Sequence, residues 1–408
     1  MFPDEGAGDM SLDLTGVASQ VGRLLDRLKE SLTERQDHVK NALETARQQS
    51  ENLDTLKEKV RTSRTTWLVA GITEGLDLHY PAPPIPVDFT IIATDGSHID
   101  VDRHRAARCF LINIGSVTLK YGAEPDAVLE SIPSLYASGE DLVIAERGTN
   151  REQPIEGALL GIKRSVDECL SLARLAAAQP AGSITLGLMD GTLILWGLDT
   201  AYPDFVVDTL LEKGFLYALR QMKKLNEDRK LALASYISLP RGTDVVNTLK
   251  VAVCPNNPLD TDKHCRDCKT RECEAVSGIR DRDMFTAILG EGERSALFVT
   301  TSVVVEKRYA DQRIYFFYVN VDEEIARVEV PEWVARDEAL LNLTHGLVLD
   351  QCRRGQGYPV ALSEAHEQAV VTGLDRENFW QLVEIALAGE KIPSSTSAKS
   401  RSKNTRWV

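Results

Sequence analysis

Two aspartates in this 408-residue chain each follow an apolar run and each precede a glycine. The first is Asp95, in Phe-Thr-Ile-Ile-Ala-Thr-Asp-Gly-Ser-His, and the second is Asp190, in Ile-Thr-Leu-Gly-Leu-Met-Asp-Gly-Thr. A carboxylate that is buried without a partner is costly, so two of them at the ends of core strands require compensation, for which a divalent cation is well suited. The pattern indicates a metal-dependent active site. The alternative is that each Asp-Gly pair marks an ordinary turn.

Two glutamates between these aspartates are candidates for a third carboxylate. Pro154 suits the first turn of a helix, which places Glu152 just before the helix and Glu156 within its start. Three acidic side chains from two strands and a helix can hold one or two Mg²⁺ or Mn²⁺ ions, which activate water for phosphodiester hydrolysis. Alternatively, Glu156 is only a favourable charge in the first helical turn.

A tyrosine and a histidine near the carboxyl end of the chain are further candidates. Ser363 is a good N-cap residue, so His366 is predicted in the first turn of the last long helix, where the helix dipole disfavours imidazolium. A neutral histidine can accept a proton or bind a metal. Tyr358, which Pro359 holds in place, could bond a phosphate or stack on a base. Both residues also suit a purely structural role.

Four cysteines form a cluster within 20 residues, and they are Cys254, Cys265, Cys268 and Cys273. Four thiolates in one short loop suit a structural Zn²⁺ ion or an iron–sulfur cluster, and the spacing does not decide between them. Disulfides or unligated thiols are the alternatives. The other three cysteines, expected to be reduced core thiols, are Cys109, Cys169 and Cys352.

These residues need strands and helices to position them. Strands are predicted over residues 88–94, 107–120, 184–190, 230–238, 296–305 and 313–321. Helices are predicted from about residue 16 to 68 and over 154–178, 204–227, 336–353 and 363–388. Strands before and between helices indicate an α/β domain with a mixed sheet.

The predicted organisation has four parts. Residues 1–15 form a disordered leader, and 16–86 form a helical, coiled-coil-like region that ends in a Pro-rich connector. Residues 87–388 form the α/β domain with the Cys-rich insertion at 254–273, and 389–408 form a basic disordered tail.

Charge and hydropathy exclude two classes of protein. The net charge of −14 argues against a broadly basic protein that coats nucleic acid, although a local basic groove is compatible with it. No apolar stretch approaches the roughly 18–20 residues needed to span a bilayer. We therefore expect a cytoplasmic protein with no membrane partner.

The ordered set of motifs resembles the NurA nuclease family over about residues 88–373. The set consists of a strand with Asp95-Gly-Ser, a glutamate on a helix, a strand with Asp190-Gly-Thr, and the Gly-Tyr358-Pro to Ala-His366 segment. The resemblance implies an RNase H-like core and a homodimer. It also implies a Mn²⁺-dependent (or Mg²⁺-dependent) nuclease that cuts single-stranded DNA and degrades DNA 5′ to 3′. The resemblance further implies that the protein acts with a HerA-type hexameric DNA-translocating ATPase. The two would work together in DNA end resection and double-strand break repair.

The resemblance also implies roles for individual residues. The metal-binding carboxylates would be Asp95, Asp190 and Glu156, with Glu152 as the alternative third. His366 would bind metal or transfer a proton, and Tyr358 would contact the substrate or support the metal ligands. Two other functional classes stay open: a catalytically silent scaffold for a DNA motor, and an RNase H-like enzyme that acts on RNA or transfers strands. The four-cysteine segment departs from the family pattern.

Overall fold

The computed structural model of the protein describes residues 14–102, 105 and 107–391. Most of the predicted leader and of the basic tail therefore lies outside the described residues. None of the helices in the described part of the chain is long and apolar enough to cross a membrane.

The described residues form thirteen strands and fourteen α-helices. The strands are β1 Ala70–Ile72, β2 His79–Tyr80, β3 Phe89–Ile99, β4 Phe110–Tyr121, β5 Asp126–Tyr136, β6 Val143–Ala145, β7 Glu152–Pro154, β8 Ile184–Asp190, β9 Lys230–Ile237, β10 Arg294–Ser295, β11 Phe298–Thr300, β12 Ile314–Asn320 and β13 Ile325–Pro331. The helices are α1 Leu14–Ser50, α2 Leu53–Thr62, α3 Ala158–Ala178, α4 Leu198–Ala201, α5 Asp204–Val207, α6 Leu216–Leu225, α7 Asp244–Val253, α8 Thr261–His264, α9 Asp281–Thr286, α10 Val303–Arg308, α11 Glu332–Ala335, α12 Glu338–Arg354, α13 Val360–Ala369 and α14 Gly373–Gly389. A π-helical segment, Asp208–Phe215, joins α5 to α6, and a 3₁₀ helix covers Glu272–Val276.

Eleven of these strands form one mixed sheet. Its main path runs β1-β11-β12-β13-β9-β8-β3-β4-β5, and β2 and β10 attach beside β12. The pairs β3/β8 and β8/β9 are parallel, and the other pairs along the path are antiparallel. The order β5-β4-β3-β8-β9, with three antiparallel strands followed by two parallel ones, is the arrangement of an RNase H-like core. The predicted α/β class is confirmed.

Alternating side chains give the sheet two apolar faces. On β3, Ile92 packs into a core with residues of α3 and α6, whereas Ile91 and Ala93 pack with residues of α12 and α13 on the opposite face. Because successive strand residues point to opposite faces, one short apolar run supplies both cores. The predicted core thiols Cys109, Cys169 and Cys352 are all buried.

The N-terminal helices divide into an exposed part and a packed part. In α1, Val17, Val21 and Leu24 are exposed, whereas Ala42 and Ala46 are buried. The packed half belongs to a third core, which also contains residues of α2, α7, α9, β11 and β12. This core continues the sheet, since β1 pairs with β11 and β2 pairs with β10.

Several predicted elements differ from those observed. The predicted helix at 363–388 is two helices, α13 and α14, and the predicted strand at 296–305 contains β11 followed by α10. The helix predicted from Pro154 begins at Ala158, because Pro154 is the last residue of β7. The edge strand β5 and the strand β13 had no counterpart in the prediction.

Candidate active site

The two aspartates come from neighbouring parallel strands. The last residues in register between β3 and β8 are Thr94 and Met189, so Asp95 and Asp190 are the next residues along their strands. Asp190 ends β8, but Asp95 lies inside β3, which continues through Gly96 in its pairing with β4. The first Asp-Gly pair is therefore not a turn, and both aspartates lie at the level where the parallel pairing stops.

Helix α13 lies directly on the strand next to Asp95. Gly115 of β4 is paired with Asp95, and a Cβ atom on Gly115 would lie 2.1 Å from the Ala365 carbonyl oxygen and 2.6 Å from the Ala369 nitrogen. Only a glycine leaves room for the helix backbone at this distance. The close approach brings His366 Nδ1 to 2.8 Å from Asp95 Oδ2.

His366 lies at the opposite end of its helix from the predicted one. Helix α13 begins at Val360, directly after Pro359, so Ser363 is inside the helix and is not its N-cap. His366 belongs to the last turn, where a helix dipole interacts favourably with a positive charge. The argument that the dipole keeps this imidazole neutral is therefore wrong, although the side chain does reach Asp95.

Tyr358 contacts Asp190, the second of the two aspartates. Its hydroxyl donates a hydrogen bond to Asp190 Oδ1 at 3.0 Å, and its ring meets Tyr236 edge-on with centroids 5.4 Å apart. Burial, and then the charge of Asp190, raises the pKa of Tyr358, so this phenol is a stable hydrogen-bond donor. Burial likewise raises the pKa of Asp190, and the bond from Tyr358 partly opposes that shift.

A third carboxylate reaches this site from α3, and it is Glu168. Thr94 Oγ1 donates to the Glu168 carbonyl oxygen at 3.0 Å, which fixes this helix turn on β3. A Cβ atom on Gly96 would lie 2.5 Å from Glu168 Oε1. The missing side chain at Gly96 therefore gives the Glu168 carboxyl group its place beside the strand.

The surroundings of Glu168 make its charge costly. Burial raises the pKa of Glu168 to about 8; Arg164 opposes the shift, and Asp95, Asp190 and Asp167 add to it. Arg164 Nε lies 3.0 Å from Glu168 Oε1 as an ion pair. Neither of these two buried atoms has a hydrogen-bond partner within the described part of the chain. Charging Glu168 is therefore costly at this site, and Arg164 compensates that cost only in part.

Glu152 and Glu156 lie elsewhere. Glu152 is in β7, paired with Ala145, and Glu156 precedes the first residue of α3, Ala158; both glutamates are exposed. Glu168 is ten residues beyond Ala158, or about 15 Å along the helix axis. The helix that was expected to carry the third carboxylate does carry one, but three turns further along.

The signal for Glu168 was present in the sequence. Val166, Cys169 and Leu172 are buried residues of α3, and Glu168 lies among them as a charged residue on the buried side of the helix. A charged residue at such a position is rarely buried without a reason.

The four clustered cysteines come together around the end of α7. Cys254 directly follows α7, Cys265 directly follows α8, Cys268 lies in the next turn, and Cys273 is in the 3₁₀ helix. Burial, and then the other thiols, raises the pKa of Cys265 and of Cys273, which indicates that the four thiols are neighbours. All four are free thiols. As the side chains stand in the described residues, no three or more His, Cys, Asp or Glu groups form a complete metal site, at these cysteines or elsewhere.

Comparison with known proteins decides the family. A model of the NurA domain matches residues 89–371, well over half of the chain. The chain belongs to the NurA family. The matched residues run from the first residue of β3 to just past α13, so the NurA domain contains Asp95, Glu168, Asp190, Tyr358 and His366.

Solved structures of NurA proteins are also similar to this chain. The NurA nuclease from Sulfolobus solfataricus is 15% identical, with 77% of this chain and 88% of that chain covered and a TM-score of 0.45. A NurA structure with manganese is 13% identical, with 85% and 98% covered and a TM-score of 0.36. A search of the curated proteins finds no match. Membership of the NurA family supports a nuclease activity for the chain.

Proposed function

We propose that this NurA protein is a divalent-metal-dependent deoxyribonuclease that hydrolyses phosphodiester bonds, cutting single-stranded DNA and degrading DNA 5′ to 3′. The observation that carries the proposal is the approach of Asp95, Asp190 and Glu168 to one edge of the RNase H-like sheet, with Tyr358 and His366 in direct contact with the two aspartates. Glu168 takes the role that the sequence assigned to Glu156.

The donor atoms at this edge fit Mn²⁺ or Mg²⁺. Carboxylate oxygens are hard ligands of the kind these ions prefer. Glu168 Oε1 is buried and pairs with Arg164 but has no hydrogen-bond partner in the described residues. Burial, and then the charges of Asp95 and Asp190, raises the pKa of Glu168, and a cation would relieve this cost. The ligands would be Asp95, Asp190 and Glu168, with His366 at the margin of the site. When bound, such an ion activates water and stabilises the leaving oxygen.

The other side chains have roles that follow from their contacts. Tyr358 holds Asp190 by a hydrogen bond to one carboxylate oxygen, leaving the second oxygen for a metal. His366 has a largely exposed side chain, while Nδ1 lies against Asp95. Asp95 thereby orients the imidazole, and Nε2 can exchange a proton with a substrate oxygen or with water.

The test of the site compares two glutamates. We expect Asp95→Ala, Asp190→Ala and Glu168→Ala to lose at least about 100-fold in Mn²⁺-dependent cleavage of single-stranded DNA, because each removes a metal ligand. Glu156→Ala should cleave as wild type does, since Glu156 is exposed and outside the helix. Circular dichroism and thermal melting confirm folding of each variant. Loss of activity in Glu156→Ala with retention in Glu168→Ala would make Glu156 the third carboxylate after all.

A substrate panel separates the remaining functional classes. Single-stranded DNA, linear duplex DNA with one labelled end and RNA are incubated with Mn²⁺ or Mg²⁺. Preferential cleavage of RNA would indicate an RNA-directed enzyme. A folded protein that cleaves none of them, alone or with its motor, would indicate a scaffold.

We further propose that the protein forms a homodimer and acts with a HerA-type hexameric ATPase in end resection and double-strand break repair. Family membership supports this proposal. The strand β5 also supports a second copy, because it is exposed almost throughout, ends the sheet, and carries the exposed apolar residues Val128, Leu129, Ile132 and Leu135. Sedimentation of the protein alone and with the ATPase, together with DNA-dependent ATP hydrolysis, tests both parts. A monomer that leaves ATP hydrolysis unchanged would refute them.

The four-cysteine segment is proposed to hold a structural Zn²⁺ ion or an iron–sulfur cluster. Its support is the grouping of four free thiols, two of them directly after the helices α7 and α8, whose side chains would close around the ion. Anaerobic purification followed by metal analysis and visible absorption distinguishes the two: zinc without colour, or iron with absorption in the visible range. A colourless, metal-free protein would overturn both.

A further inference from the structure

A buried pair of charged residues on β13 contacts the turn that follows Asp190. Glu329 Oε2 accepts hydrogen bonds from Thr192 Oγ1 at 2.7 Å and from the Leu193 backbone nitrogen at 2.9 Å. Its other oxygen, Oε1, accepts from Arg327 Nε at 3.0 Å. Glu329 is 2% exposed and Arg327 is 5% exposed, so these bonds are shielded from water.

Glu329 reaches this turn across an intervening strand. β9 lies between β13 and β8, and the residue opposite Glu329 on β9 is Ser235. Directly opposed residues share a face of the sheet, so the small Ser235 side chain leaves room for the longer glutamate to pass. At the turn, Thr192 Oγ1 also accepts from the Ile194 nitrogen at 3.1 Å. The Thr192 hydroxyl thus makes one hydrogen bond to the backbone just after the turn, at Ile194, and one to Glu329 on β13.

Arg327, the second residue of the charged pair, is held by contacts away from the turn that follows Asp190. Arg327 donates to Asp244 Oδ2 at 2.5 Å, in the first turn of α7, and its guanidinium lies 3.7 Å from the centroid of the Phe316 ring. Desolvating such charges is costly, and apolar residues of similar volume often give equal or greater stability. Stability alone therefore does not account for an arginine and a glutamate in the middle of the sheet.

We propose that Glu329 is a positioning residue for Asp190: it fixes the Gly191–Leu193 turn, and thereby the Asp190 carboxylate, in the orientation that binds the metal. The inference rests on the proposed function, because it assigns Asp190 to the metal. Asp190 is then held from two sides, by Tyr358 at its carboxylate and by Glu329 through the backbone that follows it. Glu329 itself touches neither substrate nor metal.

The experiment uses Thr192 and not Glu329, because a substitution at Glu329 leaves Arg327 buried with one partner fewer and endangers folding. Thr192→Val keeps the shape and removes the hydroxyl, and Thr192→Ser keeps the hydroxyl. Binding of Mn²⁺ to the full-length protein is measured without DNA by the electron paramagnetic resonance signal of the free ion. Asp190→Ala identifies the binding that belongs to the site.

We expect Thr192→Val to weaken Mn²⁺ binding about tenfold, as is usual when support for a metal ligand is lost. Thr192→Ser should bind as wild type does. The melting temperature of metal-free Thr192→Val should fall by less than about 3 °C, since two hydrogen bonds are lost from a large chain.

Three outcomes would overturn the inference in distinguishable ways. Equal Mn²⁺ affinity and equal melting temperature in Thr192→Val and Thr192→Ser, with binding abolished in Asp190→Ala, refutes the positioning role alone. A lower melting temperature in Thr192→Val with unchanged Mn²⁺ affinity gives the pair a purely structural role. Wild-type binding in Asp190→Ala refutes the proposed metal site, and the positioning role with it.

Discussion

Burial of the Glu168 carboxyl group beside Asp95 and Asp190 makes the stability of the metal-free protein depend on pH. Its pKa is raised to about 8 in the folded state, against about 4.3 in an unfolded chain. Between these values the folded protein binds more protons than the unfolded one, so the free energy of unfolding falls as pH rises. We expect Glu168 to contribute a loss of stability from about pH 5 to pH 8, measured by urea denaturation in the presence of a chelator.

Glu168→Gln provides the matched comparison, since it keeps the shape and cannot ionise. The stability of this variant should change less between about pH 5 and pH 8 than that of wild type, whereas Glu156→Gln should follow wild type because Glu156 is exposed. Parallel pH profiles for wild type and Glu168→Gln would show that this carboxyl group titrates normally.

The residues at the site differ in how far sequence could predict them. Asp95 and Asp190 each follow an apolar run, and Tyr358 and His366 lie in a recognisable segment, so the order of residues alone is enough to single out all four. The sequence marks Glu168 as a charged residue among the buried positions of α3, but this pattern does not assign it to the site, because its place depends on the space above Gly96. Packing between a helix and a strand decided the third carboxylate.

At the scale of elements, the contact between α13 and β4 sets the position of His366. Because a Cβ atom at Gly115 would lie 2.1 Å from a backbone oxygen, Gly115→Ala must push the helix away. We expect this substitution to cost about 1–3 kcal/mol in the free energy of unfolding, the usual range for overpacking, measured by urea denaturation. DNA cleavage should fall with it, because His366 would move from Asp95.

Gly139→Ala is the control for the glycine substitution. A Cβ atom at Gly139 would meet nothing within 4 Å, so this variant should keep the stability and activity of wild type. If Gly115→Ala behaves in the same way, the helix is free to adjust and does not fix His366.

The edge strand β5, which was not predicted, shows where hydrophobic periodicity fails as a signal for strands. β5 is exposed on nearly every residue, so it lacks the buried face that produces an alternating pattern of apolar and polar side chains. β8 and β9, which are buried in the middle of the sheet, were predicted almost to their ends. Burial alone does not make a strand predictable, because β13 is buried at every residue and was also missed, with the charged Arg327 and Glu329 interrupting its apolar residues. An edge strand such as β5 is held chiefly by its pairing with a neighbour.

At the scale of the whole molecule, the N-terminal helices share a core with the sheet. The Pro-rich connector predicted a boundary near residue 86, yet β1 and β2, which precede it, pair with β11 and β10. Lys59 of α2 donates to the Ala252 carbonyl oxygen at 3.0 Å, at the carboxyl end of α7. Proline fixes the local backbone, but it does not determine whether the segments on its two sides pack together.

This shared core predicts that the helices and the sheet unfold together. Leu56 of α2 is 2% exposed within that core, whereas Leu24 of α1 is 52% exposed. Leu56→Ala should destabilise the protein by about 2–5 kcal/mol, because it leaves a cavity, and Leu24→Ala should have almost no effect. In scanning calorimetry, Leu56→Ala should lower the main transition of the whole chain. A separate minor transition that alone shifts in Leu56→Ala would instead make residues 16–86 an independent domain, as their sequence predicts.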